Sequence, residues 1–222
     1  MKRSMSALGV VLVTAAVPLA AQRFDNIVRE DFFAGYRGDA ARLARGMETC
    51  ERALAGDPKN AAALVWHGAG VFFQSGQRFR AGDWQAGLEM QTRGLAEMDD
   101  AVALRPDVQT LVPRGAVLLA AALFMPDSMA KPLLQKGIAD WEKAAELQRA
   151  GAMPLSVHAR GELLGGLAVG YRLLGDQEKT AAYLERIVDE LPESAYAARA
   201  AAWLGNPDRI QKTDRFCIGC HE

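Results

Sequence analysis

The sequence predicts an all-α chain built of antiparallel helix pairs, and three observations carry that expectation. Only 5 Ile and 6 Thr occur, while Ala, Leu and Arg are abundant. β-branched side chains favour strands, whereas the abundant residues favour helices. Pro58, Pro106, Pro154 and Pro192 follow one another at spacings of 48, 48 and 38 residues. Each stands just beyond a helical stretch, where a residue that cannot continue a helix belongs. Half of the residues are hydrophobic and 24% are charged, so the chain has the apolar content for a packed core rather than for disorder. With 222 residues it is long enough for one domain or one compact array. Lys and Arg number 26 against 27 Asp and Glu, a formal charge of −1. That balance lacks the basic excess of a nucleic-acid binder.

The elements follow in order. Lys2 and Arg3 give a positive start, Ala7 to Ala21 carries no charge, and Leu19-Ala20-Ala21 supplies small residues for a signal peptidase. This uncharged run of 15 residues is short for a membrane span of about 20. Residues 1–21 are therefore expected to be a signal peptide cleaved after Ala21, and the mature chain to be exported, to a periplasm. Retention of the segment as an anchor is the alternative. Helix pairs are expected at 25–36 with 39–55, 59–74 with 84–104, 108–124 with 130–149, and 156–174 with 177–190. A last helix at 193–204 stops at Gly205, with Pro207 beyond. The chain thus divides into the signal at 1–21, a helical repeat domain at 22–204 and a tail at 205–222.

In the fourth pair, Leu164, Leu167, Ala168, Tyr171, Gly175, Leu184, Ile187 and Pro192 stand at characteristic intervals. In the second, Trp66, Gly70, Phe73, Met98, Ala101 and Pro106 do so, around about a dozen extra residues that include Gln77 to Gln85 with Arg78, Phe79, Arg80 and Trp84. The pattern resembles the tetratricopeptide repeat family, over residues 25–204. The resemblance implies a solenoid in which Ala168 allows two helices to approach, Tyr171 fills the gap between them and Gly175 permits the turn. Stacked pairs of this kind bury their faces only against neighbours and present a concave surface to a protein partner. Such a fold carries no reaction of its own. No Gly-rich phosphate loop, Ser nucleophile elbow or zinc-hydrolase histidine pair stands in the sequence, and an enzyme is not expected.

The chemistry-bearing motif is at the end of the chain: Cys217-Ile218-Gly219-Cys220-His221. It resembles the c-type haem attachment motif of the cytochromes c. The resemblance implies one covalent haem c. The two thiols would each add to one vinyl group, and the adjacent imidazole of His221 would ligate the iron from one side. Export agrees with this, because haem is attached to such motifs outside the cytoplasm. Three plainer readings stand beside it: a Cys217–Cys220 disulfide, a structural zinc site, and a tail without a role. Zinc fits least, because adjacent Cys220 and His221 do not converge easily on one ion.

The chain departs from the cytochromes c in one respect. There the motif opens a small helical domain and a downstream Met supplies the sixth ligand; here one residue follows His221. Residues 205–216 form a polar tether, and the second axial ligand falls to His67, His158, a Met, water or another chain. His67, next to Trp66, is a candidate for the concave groove; the ordinary reading of both histidines is a partly exposed or hydrogen-bond-satisfied side chain. Met47, Met90, Met98, Met125, Met129 and Met153 read as core or loop residues, with Met125 and Met129 the more exposed pair. Cys50 is expected in the core. The expected function is that of an exported helical-repeat protein with one covalent haem, an electron-transfer or assembly subunit of a periplasmic redox complex. The rival is a cofactor-free scaffold.

Overall fold

The computed structural model describes residues 23–152 and 154–206. The expected signal segment at 1–21, Met153 and the tail from Pro207 onward, with Cys217, Cys220 and His221, lie outside the described residues. Among the described residues there are nine helices and no strand: α1 Phe24–Tyr36, α2 Ala40–Gly56, α3 Ala61–Arg80, α4 Trp84–Leu104, α5 Val108–Ala122, α6 Asp127–Arg149, α7 Val157–Leu173, α8 Gln177–Glu190 and α9 Ala195–Gly205.

Local chemistry sets the ends of these helices. Asp39, Asn60, Asp83, Asp107, Ser156, Asp176 and Ser194 each accept a bond from a backbone N–H in the first turn of the helix that follows. Such a cap satisfies one of the donors that a helix start leaves orphaned. Three hairpin turns share one construction. Gly38, Gly82 and Gly175 adopt positive φ after α1, α3 and α7, and Asp39, Asp83 and Asp176 follow them as caps. The Asp N–H closes each turn by donating to the carbonyl of Ala34, Arg78 or Tyr171.

Packing then runs from neighbour to neighbour. The pairs α1–α2, α3–α4, α5–α6 and α7–α8 lie antiparallel, α9 packs on α8, and further contacts link α1–α3, α3–α5, α5–α7 and α7–α9. The odd-numbered helices thus form a continuous row, an arrangement compatible with a helical repeat. Glycines let the backbones approach: a Cβ at Gly94 would stand 2.6 Å from the Gly68 carbonyl oxygen. Trp141 of α6 enters the space left by two more, since Cβ atoms at Gly115 and Gly166 would overlap its ring at 2.2 and 1.6 Å. Its Nε1 donates to the Val112 carbonyl at 3.0 Å. Phe32, Met98, Leu118, Leu167, Leu184 and Ile187 are fully buried, each contributing roughly 1.5–3 kcal/mol. Leu164, Ala168 and Tyr171 of the repeat-like pattern are buried with them.

Two expectations about boundaries change. The extra residues of the second pair form helix rather than a loop: α3 continues to Arg80 and only Ala81, Gly82 and Asp83 separate it from α4. Phe79 holds this extension by packing over Gly87, where a Cβ would lie 2.5 Å from its ring, and against Trp84 with ring centroids 5.5 Å apart. α6 begins at Asp127 rather than at 130, and Pro113 and Pro132 stand inside α5 and α6, within the helices expected at 108–124 and 130–149. Each falls in the second turn, so the ladder loses one bond near its start rather than in the middle of the helix.

Candidate functional site

The expected haem-attachment residues Cys217, Cys220 and His221 lie outside the described residues, so the groups to weigh are the other candidates on the helical array. His67 sits on α3 and is 4% exposed. Its Nδ1 donates to Glu97 Oε2 on α4 at 2.5 Å, and its Nε2 lies 3.8 Å from Glu51 Oε1 on α2. Glu97 also accepts from Arg93 Nε at 2.7 Å. The side chain is therefore turned toward the even-numbered helices and enclosed there, not presented on the row of odd-numbered ones. Burial works to raise the Glu97 carboxyl, but the bonds from His67 and Arg93 outweigh it and hold the group below the usual range.

His158 is different. It is exposed, on the first turn of α7. Its Nδ1 lies 2.8 Å from Tyr196 Oη on α9, and that phenol donates to Glu162 Oε1 at 2.9 Å. The Tyr196 ring rests on the backbone at Gly161, where a Cβ would meet it at 2.4 Å. His158 and Glu162 stand four residues apart on α7 and face the same way. Sequence alone singles out His158 without these partners. Its partners were reachable through the i, i+4 spacing to Glu162, but nothing local announced Tyr196.

The remaining candidates are packing groups. Met47 and Met98 are buried, Met90 and Met125 are half-buried against the first core cluster, and Met129 is 48% exposed. Tyr171 and Tyr183 stack with centroids 5.7 Å apart, and both donate to Glu142 Oε1. Burial and that carboxylate push both phenols up, Tyr183 to about 12, so they remain donors. Among the described residues no group of three His, Cys, Asp or Glu is placed to hold a metal ion. No helix among them is long and apolar enough to cross a membrane.

Cys50 is buried, as expected, and desolvation pushes its thiol up to about 12. The thiolate is the reactive form. In a variant lacking Cys217 and Cys220, a thiol reagent should therefore titrate no group in the folded chain and one in denaturant. Rapid labelling of the folded chain would contradict this burial.

Asp31 of α1 accepts from Arg45 Nε at 2.8 Å and Nη2 at 2.5 Å, and also from Arg42 Nε, both on α2. The bonds from Arg45, and then those from Arg42, hold its carboxyl below the usual range although burial opposes them. A carboxylate depressed in the folded chain stabilises it above the unfolded value of about 3.9, and that contribution disappears as pH falls through the folded value. Thermal stability should fall steeply below about pH 4. Asp31→Asn should lose on the order of 1 kcal/mol at neutral pH and show a flatter acid limb in melts followed by circular dichroism.

No protein-family model matches the chain, and comparison with curated proteins and with solved structures finds no match.

Proposed function

We propose that this chain is an exported helical-repeat protein of the tetratricopeptide-like kind that carries one covalent c-type haem on its C-terminal tail. It would serve a periplasmic redox complex as an electron-transfer or assembly subunit. The observation that carries the reading is the sequence Cys217-Ile218-Gly219-Cys220-His221. Cys217 and Cys220 are the residues for the two thioether bonds, each S–H adding across one vinyl C=C. His221 is the residue for the proximal iron bond. Bound there, haem supplies a one-electron couple at its iron. The array's part is to dock the partner, and the tether's part is to let the motif reach it.

An absorption spectrum tests the reading. Protein produced in a host with cytochrome c assembly factors should show a Soret band and sharpened visible bands on reduction. A colourless product from that host would oppose it. The cofactor-free scaffold has an observation of its own: Trp84 and Leu88, 66% and 55% exposed beside the α3–α4 turn, present apolar surface to another protein.

A further inference from the structure

We propose that His67 is a pH-sensitive latch between α2 and α3, closed by the proton on its Nε2 and loosened when that proton leaves; the haem reading above plays no part in it. Glu97 Oε2 lies 2.5 Å from Nδ1, and the same carboxyl accepts from Arg93 at 2.7 Å. Burial works to raise that carboxyl, but the bonds from His67 and Arg93 keep it below the usual range. A carboxylate only accepts, so Nδ1 holds its proton in the neutral and the charged ring alike. The proton that leaves is therefore the one on Nε2. That nitrogen lies 3.8 Å from Glu51 Oε1 on α2, too far for a hydrogen bond and within reach of an ion pair. With the proton in place, an imidazolium stands between carboxylates of α2 and α4. Without it, a ring lone pair is turned toward the Glu51 carboxylate and the attraction is gone.

The two sides of the ring are held differently. On the α4 side the helices are closed by glycine: a Cβ at Gly68 would stand 2.8 Å from the Gly94 carbonyl oxygen and 2.9 Å from Glu97 Cβ. Glu97 therefore stays against α3 whatever the charge on the ring. On the α2 side the Glu51 side chain is 63% exposed, and no residue of α2 after Cys50 is buried. The end of that helix, residues 51–56, has little apolar packing to hold it, so a charged contact there counts. Among the described residues the ring's ion pairs are those with Glu51 and Glu97, and none comes from α1 or α5. Arg93 bears on the ring through Glu97. Cys50, next to Glu51, is kept a neutral thiol by burial, which pushes it up to about 12.

The ion pair with Glu51 exists only while the ring is charged, so its contribution is lost as pH rises through the titration of the ring. Histidine is the side chain whose charge ordinarily changes between about pH 5 and 8. The end of α2 is accordingly held on the acid side of that range and loosened on the alkaline side. The remainder of α2 stays docked at both, because Leu43, Met47 and Cys50 are buried in the first core cluster.

Hydrogen exchange followed by mass spectrometry on the full chain tests the latch, with rates corrected for the intrinsic pH dependence of amide exchange. Residues 51–56 should be about threefold better protected at about pH 5.5 than at about pH 8. Glu51→Gln should abolish that difference while leaving far-ultraviolet circular dichroism unchanged. Nitrogen-15 resonances of the His67 ring should show Nδ1 protonated at both pH values and Nε2 protonated at the lower one alone. Equal protection of residues 51–56 at the two pH values in wild type would overturn the proposal. So would a Glu51→Gln chain that keeps the wild-type difference, or a ring that loses its proton from Nδ1.

Discussion

Replacing Cys217 and Cys220 together with Ala should abolish covalent haem, seen as complete loss of haem-stained protein on a denaturing gel, while the helical array keeps its fold. The two effects separate for a physical reason. Thioether bonds need the thiols themselves, and no third cysteine can substitute because Cys50 is buried between α1, α2 and their neighbours. The array, by contrast, closes its core with residues before the tail. Among the described residues one cluster joins α1 to α5, a second joins α5 to α7, and a third joins α7 to α9. Thermal unfolding of the apo double variant should stay close to that of apo wild type. A variant that loses helix along with haem would make the tail part of the core. Replacing His221 alone should leave misligated iron or impaired attachment, since Glu222 beside it is no substitute for an imidazole.

The largest effect on stability is expected at Arg114. Its Nε and Nη2 donate to Asp140 at 2.7 and 2.6 Å, and its Nη1 donates to Asp99 at 2.7 Å. Lys136 Nζ closes the network on Asp99 at 2.7 Å. These groups tie α4, α5 and α6 together, and the Asp140 side chain is only 5% exposed. Arg114→Met would leave that carboxylate buried without its partner, at a cost of roughly 3–5 kcal/mol. For a chain of this size the melting temperature should fall by on the order of 10 °C. The double variant Arg114→Met with Asp140→Leu should recover most of the loss, because removing both charges removes the uncompensated one. A single variant that melts with wild type would show the network to be dispensable.

The array was legible in the sequence to different depths. Helix content followed from the scarcity of β-branched residues, and the outer turns followed from Pro58, Pro106 and Pro192, because a missing N–H acts locally. The recurring Gly-Asp pairs at 38–39, 82–83 and 175–176 are an equally local signal, combining a left-handed residue with an N-cap, and they mark three hairpin turns more sharply than proline does. The continuation of α3 to Arg80 was not legible. It depends on Phe79 meeting Gly87 across the turn, a contact between helices that no window of sequence contains. The same holds for Trp141, whose place is set by Gly115 and Gly166 on two other helices. At the candidate site the motif itself could be read residue by residue, whereas the enclosure of His67 by Glu97 and Glu51 and the support of His158 by Tyr196 arise only when distant helices pack.

Intact mass under denaturing conditions tests the central claim most directly, on wild-type protein purified from the exported fraction of a host with cytochrome c assembly factors. The expected mass is that of the chain from Gln22 to Glu222 plus one haem, and that of the same chain without the added mass for the Cys217→Ala, Cys220→Ala variant. A wild-type mass equal to the bare chain, or lighter than it by the two hydrogens of a Cys217–Cys220 disulfide, would contradict the account and leave the cofactor-free scaffold in its place.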